Sequence, residues 1–259
     1  MKDLTVIVPV HKYDENIAEM LNDAVNSVTE ATRKEDEIKI LFVGPETVMN
    51  KVKEKYPNAE YLINEKTDFI SQINKAVEKC GKYFSILEFD DKFLPNWFKN
   101  ADEYMDIYPD VSVFLPLTEI SLFDKKDSGP IGYVNEAVWA SSFSDELGFL
   151  DLDSLLSYVN FNTTGAIFNT SDFIENGKLK GSIKLTFWYE YLLRCVYNNK
   201  KIYVIPKSGY QHFLNRKDSL SDIYNKEMTP EEAEWWIDLA QKDYLFKKER
   251  DASHYIYEK

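Results

Sequence analysis

The chain has 259 residues, 44% of them hydrophobic and 15% aromatic, which is enough for a substantial hydrophobic core with little disorder. Its formal net charge of -13 disfavours nonspecific binding to nucleic acids and to anionic membranes, because like charges repel. Two cysteines cannot form a disulfide framework, and the apolar runs are shorter than the roughly 20 residues that span a bilayer, so we expect a soluble cytoplasmic protein.

The first ninety residues alternate between strand and helix patterns. Short apolar runs rich in β-branched and aromatic residues predict strands at 4–10, 38–43, 59–63 and 83–89. Apolar residues at helical spacing predict helices at 16–32, 46–56 and 69–80. Because parallel strands need crossover helices, these repeats predict an α/β fold with a doubly wound, mostly parallel sheet.

The pattern is less regular after Pro95. Helices are predicted at 97–108, 150–158 and 187–197, strands at 111–117 and 201–205, and a strand or turn at 162–169. The polar segment 124–144 is expected to be an irregular excursion or a lid, in which Trp139 could stack on the ring of a bound ligand. Thr229 and Pro230 predict the start of a final helix. Its aromatic face is expected to dock on the body of the protein, with homo-oligomerisation left open.

Three carboxylates follow the fourth predicted strand, at Glu88, Asp90 and Asp91. Side chains alternate along a strand, so Glu88 and Asp90 are expected on one face and Asp91 on the other. Oxygen donors of this kind suit Mg²⁺ and Mn²⁺, and ligands of open α/β sheets bind at the carboxyl ends of strands. The segment therefore predicts a cation site that could hold a substrate phosphate, the alternative being an acidic turn that caps the next helix.

The order of these segments resembles the inverting family 2 glycosyltransferases, which have the GT-A fold. The resemblance spans roughly residues 4–220. Its carriers are LTVIVPVH at 4–11, SQINKA at 71–76, GKYF and EFDD within 81–91, TGAIF at 164–168, EYLLR at 190–194 and KIYVIP at 201–206.

This resemblance implies an enzyme that transfers a hexosyl or pentosyl group from a nucleotide-sugar donor, a UDP-sugar in the first place, to an acceptor hydroxyl. It implies Mn²⁺ or Mg²⁺ as cofactor. It divides the chain into a GT-A domain at 1–225, with a nucleotide-sugar half at 1–95 and an acceptor half at 96–225, followed by a helical extension at 226–259.

The resemblance also implies roles for individual residues. The cation would be held by Asp90, Asp91 and His212, and Glu190 would be the catalytic base, as the last acid of the family's Glu-Asp-x-Asp/Glu motif. The Glu-Asp pair of that motif is replaced by Phe187 and Trp188. The residues implied to contact the donor are Pro9, Val10, His11, Asp68, Asn74, Glu88, Asp90, Arg216 and Lys217, although Asp68 could instead only cap the following helix.

Other functions remain open from the sequence. A nucleotidylyltransferase needs a glycine-rich phosphate loop after the first strand, and residues 11–14 contain no glycine. A non-catalytic nucleotide-sugar-binding GT-A module would tolerate the missing acids. The acceptor could be a glycan, a protein or, against the net charge, a hydroxymethylated base of phage DNA. The last would require a basic patch near Arg216, Lys247 and Arg250.

Overall fold

Nine strands of the described residues form one sheet, in the order β3-β2-β1-β4-β8-β6-β9-β5, with β7 paired to β6. The structure is a computed structural model that describes the backbone of residues 1–217 and 219–257. The described side chains do not include 126, 127, 220, 221, 224, 225 and 246–257. Lys247 and Arg250 of the predicted basic patch therefore lie outside the described side chains.

The first half of the chain forms the parallel part of the sheet. Strands β2 and β4 flank β1, and β3 lies beyond β2, all in parallel. Its elements are β1 (Leu4–Pro9), α1 (Glu15–Ala31), β2 (Ile38–Gly44), α2 (Glu46–Lys55), β3 (Glu60–Ile63), α3 (Phe69–Ala76) and β4 (Tyr83–Ile86). The predicted strands and helices of this half are confirmed, with ends that shift by a few residues.

The second half mixes strand directions, because β8 runs antiparallel to both β4 and β6 while β6 and β9 are parallel. Its strands are β5 (Lys92–Phe93), β6 (Val111–Leu122), β7 (Gly132–Val134), β8 (Ile167–Asn169) and β9 (Lys201–Leu214). Its helices are α4 (Trp97–Ile107), α5 (Leu152–Ser157), α6 (Thr170–Glu175), α7 (Phe187–Tyr197), α8 (Leu220–Glu227) and α9 (Pro230–Tyr257).

Two strands of this half pass through prolines, β6 at Pro116 and β9 at Pro206. The prediction that β9 ends before Pro206 is wrong, because the strand continues to Leu214. The register between β6 and β9 shifts around Pro116 and Pro206, where a bulge accommodates residues that cannot donate a ladder hydrogen bond. The extension of β9 beyond this bulge carries His212 to the edge of the sheet where β4 ends.

Helices cover both faces of the sheet. Along β1, Ile7 packs into one core with residues of α3, α7 and α9, whereas Val6 and Val8 pack into the other with α1, α2 and α4. This alternation is the one expected of a strand buried on both sides. In α9, Trp236 and Tyr244 are buried in the first core, which confirms that the helix docks on the body. Within the described residues, no helix is long and apolar enough to cross a membrane.

Candidate active site

Two cavities lie side by side where β1 and β4 end. The charged cavity, of about 530 Å³, is lined by the ionisable residues His11, Asp68, Glu88, Asp90, Lys184 and Arg216. The aromatic cavity, of about 710 Å³, is lined by Phe69, Tyr158, Phe161, Phe187, Trp188 and Tyr189. Phe69, Glu88 and Phe187 line both cavities, so these side chains form the boundary between them.

The acidic segment is a turn rather than the end of a strand. Strand β4 stops at Ile86, and the backbone N–H of Asp91 donates to the carbonyl of Glu88 at 3.1 Å. The backbone N–H of Glu88 donates to the hydroxyl of Tyr210 at 3.1 Å. Tyr210 lies on β9, so the turn is attached to a strand from the far end of the chain. The predicted split of the carboxylates still holds, since Glu88 and Asp90 line the charged cavity and Asp91 points away from it.

Asp91 is turned into the protein and positions His212. Its side chain is 0% exposed, and one oxygen lies 2.8 Å from Nδ1 of His212. Its other oxygen accepts the backbone N–H of Phe213 at 2.9 Å. Because Asp91 is buried and lines neither cavity, it does not take the place of the cation ligand that the resemblance implies. A carboxylate on one ring nitrogen fixes the orientation of a histidine and leaves the other nitrogen for a ligand.

Asp90 pairs with Arg216. The Nε of Arg216 donates to one oxygen of Asp90, and the guanidinium lies 5.1 Å from the centre of the Phe89 ring. Burial and the neighbouring Asp91 raise the pKa of Asp90, while Arg216 acts to lower it. Arg216 therefore supplies the positive charge that balances this acidic turn.

The shared carboxyl of Glu88 holds its proton more tightly than an ordinary glutamate. Burial raises its pKa to about 8, with further contributions from Asp91 and Asp90 and opposition from His212 and Arg216. His212 shows the opposite balance, since burial lowers its pKa but the Asp91 carboxylate raises it to a net value of about 9. The charged forms of Glu88 and His212 thus depend on each other.

The residues present fit a divalent cation only in part. Among the described residues, no cluster of three or more acids, histidines or cysteines could hold a metal ion on its own. Arg216 binds one oxygen of Asp90, which leaves the other oxygen as a candidate ligand, and Asp91 binds Nδ1 of His212, which leaves Nε2. Mg²⁺ characteristically takes one or two protein ligands and completes its shell with substrate phosphates and water. Asp90 and His212, once Nε2 of His212 has released its proton to the solvent, fit that pattern, with a phosphate-bearing ligand supplying the other oxygens.

Two of the residues implied to contact the donor, Val10 and Asn74, do not line the charged cavity. Val10 is fully buried in the core, so only its neighbours Pro9 and His11 reach the charged cavity. Asn74 donates to the carbonyl of Leu179 at 2.8 Å and accepts the N–H of Leu179 at 3.0 Å. Its amide is satisfied by a peptide group, and it serves as a tether rather than a ligand.

Lys217 and Asp68 complete the set of residues implied to contact the donor. Lys217 is exposed and does not line the charged cavity. Asp68 has both of the roles left open for it. It lines the charged cavity, and its side chain accepts the N–H of Ser71 at 2.8 Å as the cap of α3.

Glu190 does not occupy the position expected of a catalytic base. It is 1% exposed, lines neither cavity, and receives Nε and Nη2 of Arg194 at 3.0 and 2.9 Å. Lys180 lies 2.7 Å from the same carboxylate, and the hydroxyl of Tyr244 donates to it. A buried carboxylate with this many partners is part of a structural network inside the protein. We therefore correct the assignment: Glu190 joins α7 to α9 and to the segment before α7.

Most residues that line the aromatic cavity were not predicted from the sequence to be site residues. Only Glu88 and His212 of its lining were assigned site roles, because aromatic residues in a pattern of helices and strands are read as core. Trp139, the residue expected to stack on a sugar, packs edge-on against Tyr203 at 6.0 Å and does not line this cavity. The ring that reaches the cavity is Trp188, which also stacks on Phe168 at 5.3 Å.

A glycine allows the wall to approach β9. Gly165 has φ +70°, and a Cβ there would come within 2.7 Å of the Tyr210 side chain. The carbonyl of Gly165 accepts the indole N–H of Trp97 at 3.0 Å. These contacts fix the preceding Thr163 and Thr164, which line the aromatic cavity. A residue with a side chain at position 165 would displace this wall.

Comparison with solved structures identifies the fold. The chain superposes on S. aureus TarS with a TM-score of 0.61 and 19% identity, covering 86% of this chain and 38% of that one. The match to TarS 1–349 in complex with UDP-GlcNAc has a TM-score of 0.64 and 17% identity, over 85% and 60% of the two chains. The mannosyltransferase PcManGT from Pyrobaculum calidifontis, in complex with GDP-Man and Mn²⁺, matches with a TM-score of 0.60 and 12% identity. The match covers 83% of this chain and 58% of that one.

These matches show that the chain has the fold of the GT-A glycosyltransferases, as its sequence predicts. The chain spans less than two thirds of the length of each of these structures. No protein-family model matches the sequence, and no curated protein matches it. At such low identities the likeness defines the fold, and the activity has to be argued from the cavities themselves.

Proposed function

We propose that this protein is a glycosyltransferase of the family 2 type, which moves a sugar from a nucleotide-sugar donor to an acceptor hydroxyl with inversion. The observation that carries the proposal is that Asp90 and Arg216 line the charged cavity, His212 lines the aromatic cavity beside it, and Glu88 lines both. One cavity has the charges for a nucleotide diphosphate, and the other has the aromatic lining for an acceptor. The neighbouring structures support this reading, since one contains UDP-GlcNAc and another GDP-Man with Mn²⁺.

The donor is assigned to the charged cavity. Its two basic side chains, Lys184 and Arg216, together with the divalent cation, would balance the negative charge of a diphosphate. Asp90 and Nε2 of His212 would hold the cation, which when bound stabilises the diphosphate leaving group. Asp91 acts through His212 as a positioning residue. Pro9, His11 and Asp68 are left for the nucleoside, whose base identity these contacts do not select.

Glu88 replaces Glu190 as the proposed base. Among the carboxylates of the described residues, it is the one that lines both cavities, so it can contact an acceptor hydroxyl next to the donor sugar. Its pKa of about 8 is near the range in which a general base is most effective at neutral pH. In its ionised form Glu88 would accept the proton of the acceptor hydroxyl as that oxygen attacks the anomeric carbon.

Thermal unfolding with a panel of nucleotide diphosphates and nucleotide sugars, each with Mn²⁺ or with EDTA, tests the donor assignment. A ligand that binds only the folded protein raises its melting temperature. We expect one nucleotide to give a Mn²⁺-dependent shift that Asp90→Asn removes. Asp106→Asn, an exposed acid on α4, should leave the shift unchanged.

The outcomes separate the alternatives. No shift with any nucleotide would contradict a donor site in the charged cavity. A shift that survives in Asp90→Asn would refute the assigned cation ligand. A shift without release of the nucleotide diphosphate from the donor, at any acceptor tested, would identify a nucleotide-sugar-binding module instead of an enzyme.

A further inference from the structure

Residues 178–186, between α6 and α7, form a segment that reaches both cavities. This bridging segment provides Ile183 and Lys184 to the charged cavity and Leu185 and Thr186 to the aromatic cavity. We propose that the helix α9 is part of the binding machinery, because its contacts hold the bridging segment in the conformation that places Lys184 in the charged cavity. The inference rests on the proposed function, in which Lys184 balances the charge of a diphosphate.

The backbone of the bridging segment is strained where it passes from one cavity to the other. Leu185 has φ +26°, and a residue with a bulky side chain rarely adopts a positive φ. Lys184 before it lines the charged cavity, and Thr186 after it lines the aromatic cavity. A strained conformation persists only where surrounding contacts hold it, and such conformations are concentrated at functional sites. The position of Lys184 therefore depends on contacts that the neighbouring residues make.

One of these contacts joins Thr186 to α9. The hydroxyl of Thr186 donates to the carbonyl of Trp236 at 2.8 Å. Trp236 is buried and lines neither cavity. The carbonyl of Thr186 accepts the N–H of Glu190 at 2.9 Å, in the first turn of α7. The residue that follows the strained position is thus bound to two helices.

The opposite end of the bridging segment is bound to α3 and, through Glu190, to α9. The N–H and the carbonyl of Leu179 both bond to the side chain of Asn74 on α3, at 3.0 and 2.8 Å. Nζ of Lys180 lies 2.7 Å from an oxygen of Glu190 that also accepts the hydroxyl of Tyr244 on α9. The segment is therefore fixed at both ends, and the strained position lies between the two points of attachment.

The role proposed for α9 differs from that of a helix that only stabilises the fold. Among the described lining residues of the charged cavity, none belongs to α9, and Thr186 is not one of them. An effect of Thr186 on donor binding must therefore be transmitted by its neighbours, of which Lys184 carries the charge. Loss of the hydrogen bond to α9 allows Leu185 to return to an ordinary φ, which moves Lys184 away from the diphosphate. Thr186 is in this sense a positioning residue.

Thr186→Val tests this role, because valine has a similar shape but no hydroxyl. Calorimetric titration with UDP, GDP, ADP and CDP, in the presence of Mn²⁺, measures the affinity. We expect the nucleotide that binds the unsubstituted protein to bind Thr186→Val about threefold to tenfold more weakly. Thr186→Ser keeps the hydroxyl and should retain the affinity.

Thr32→Val is the matched control. Thr32 is also half-buried, and its hydroxyl donates to the carbonyl of Val28 in α1. Its substitution removes the same kind of hydrogen bond from a residue that lines neither cavity, so the affinity for the nucleotide should be unchanged. Equal losses in Thr186→Val and Thr32→Val would overturn the inference, because they would report a general effect of stability.

A double-mutant cycle with Lys184→Ala identifies the route of the effect. Lys184→Ala alone should weaken the same nucleotide by a similar factor. Thr186→Val should cause little further loss in that background, because both changes remove the same contact with the diphosphate. If the two losses multiply instead, Thr186 acts independently of Lys184 and the inference is wrong.

Hydrogen exchange followed by mass spectrometry reports the attachment to α9 without any ligand. Exchange within residues 180–187 should be faster in Thr186→Val than in the unsubstituted protein, whereas Thr32→Val should leave it unchanged there. Equal rates in all three proteins would contradict the hold of α9 on the bridging segment.

The unsubstituted protein keeps the two proposals apart. If it binds a nucleotide that Thr186→Val binds equally well, the proposed function stands and only the role of α9 is wrong. If it binds no nucleotide, the proposed function fails, and the role of Lys184 fails with it.

Discussion

The charged and aromatic cavities share a boundary but are built from different parts of the chain. The charged cavity takes its acids and His11 from turns that follow parallel strands in the first half, and Arg216 from beyond β9. The aromatic cavity takes its rings largely from 158–161 and from the start of α7, both in the second half. Strand ends of an α/β sheet converge on one edge whatever residues they carry, so the position of the charged cavity follows from the fold.

The loops and helix starts that form the aromatic cavity are not fixed in position by the sheet. Their shapes and side chains can change while the sheet is kept, and this freedom is what allows one fold to serve many acceptors. The strand ends therefore account for the position of the charged cavity, which we propose for a diphosphate, and the loops and helix starts account for the aromatic wall. Each substitution below tests one side of that separation or the boundary between the two.

The largest effect is expected at the boundary itself. Glu88→Gln keeps the shape of the side chain but cannot accept a proton, so kcat should fall by about 10²–10⁴-fold. The Mn²⁺-dependent thermal shift with the donor should remain, since the cation ligands are unchanged. Steady-state kinetics measure the fall, with Glu19→Gln on the exposed surface of α1 as the control. A kcat within a few-fold of the unsubstituted protein would exclude Glu88 as the base.

The next largest effect is on stability and is expected at Glu190, which lines neither cavity. Glu190→Ala removes one partner from the buried contacts of Arg194 and Lys180, which should lower the free energy of unfolding by about 3–5 kcal/mol. Glu234→Ala, an exposed acid on α9, should change it by less than about 0.5 kcal/mol. Urea denaturation gives both values. Unchanged stability together with lost transfer would restore Glu190 as a catalytic residue.

Some features of the site could be predicted from the sequence and others could not. The βα repeats and the acids after β4 follow from local pattern, because side-chain periodicity and strand ends are encoded within a few residues. The role of Asp91 could not be predicted in the same way. Its partner His212 lies 121 residues further along the chain and reaches it only because β9 continues through a bulge at Pro206.

The misassigned Glu190 and Asn74 have a similar explanation. Their partners include Tyr244, 54 residues from Glu190, and Leu179, 105 residues from Asn74. A short motif shows that a carboxylate or an amide is present at a position, but not which distant groups will satisfy it. Buried polar groups are satisfied by tertiary contacts, and these contacts decide whether the group faces a ligand or the protein.

A smaller effect is expected from substitution of Arg216, which should weaken binding in the charged cavity and leave the aromatic cavity unaffected. Arg216→Ala removes the partner of Asp90 and one of the two cations proposed for the diphosphate, so donor affinity should fall by about 10–100-fold. Lys217→Ala, the exposed neighbour that does not line the cavity, should leave it unchanged. Calorimetric titration of the donor and fluorescence titration of a p-nitrophenyl glycoside distinguish the cavities. A comparable loss of glycoside affinity would mean that the two are not separate in function.

The smallest effect is on the pH dependence of stability, to which His212 of the aromatic cavity and His11 of the charged cavity contribute with opposite signs. His212 has its pKa raised from 6.5 to about 9, so the folded protein binds a proton that the unfolded chain releases. Its contribution to stability is therefore complete below pH 6.5 and is lost as the pH rises to about 9. Burial and the charges of Lys12 and Arg216 lower the pKa of His11, whose contribution is instead lost as the pH falls through and below 6.5.

Urea denaturation in EDTA between pH 6.5 and 9 should therefore show a free energy of unfolding that decreases by on the order of 1–2 kcal/mol. Glu88 adds to the decrease up to pH 8, because its pKa is also raised on folding. His212→Gln should flatten this dependence, whereas His11→Gln should preserve it. If both variants keep the slope of the unsubstituted protein, Asp91 does not hold a protonated His212, and its positioning role at the boundary between the cavities would have to be abandoned.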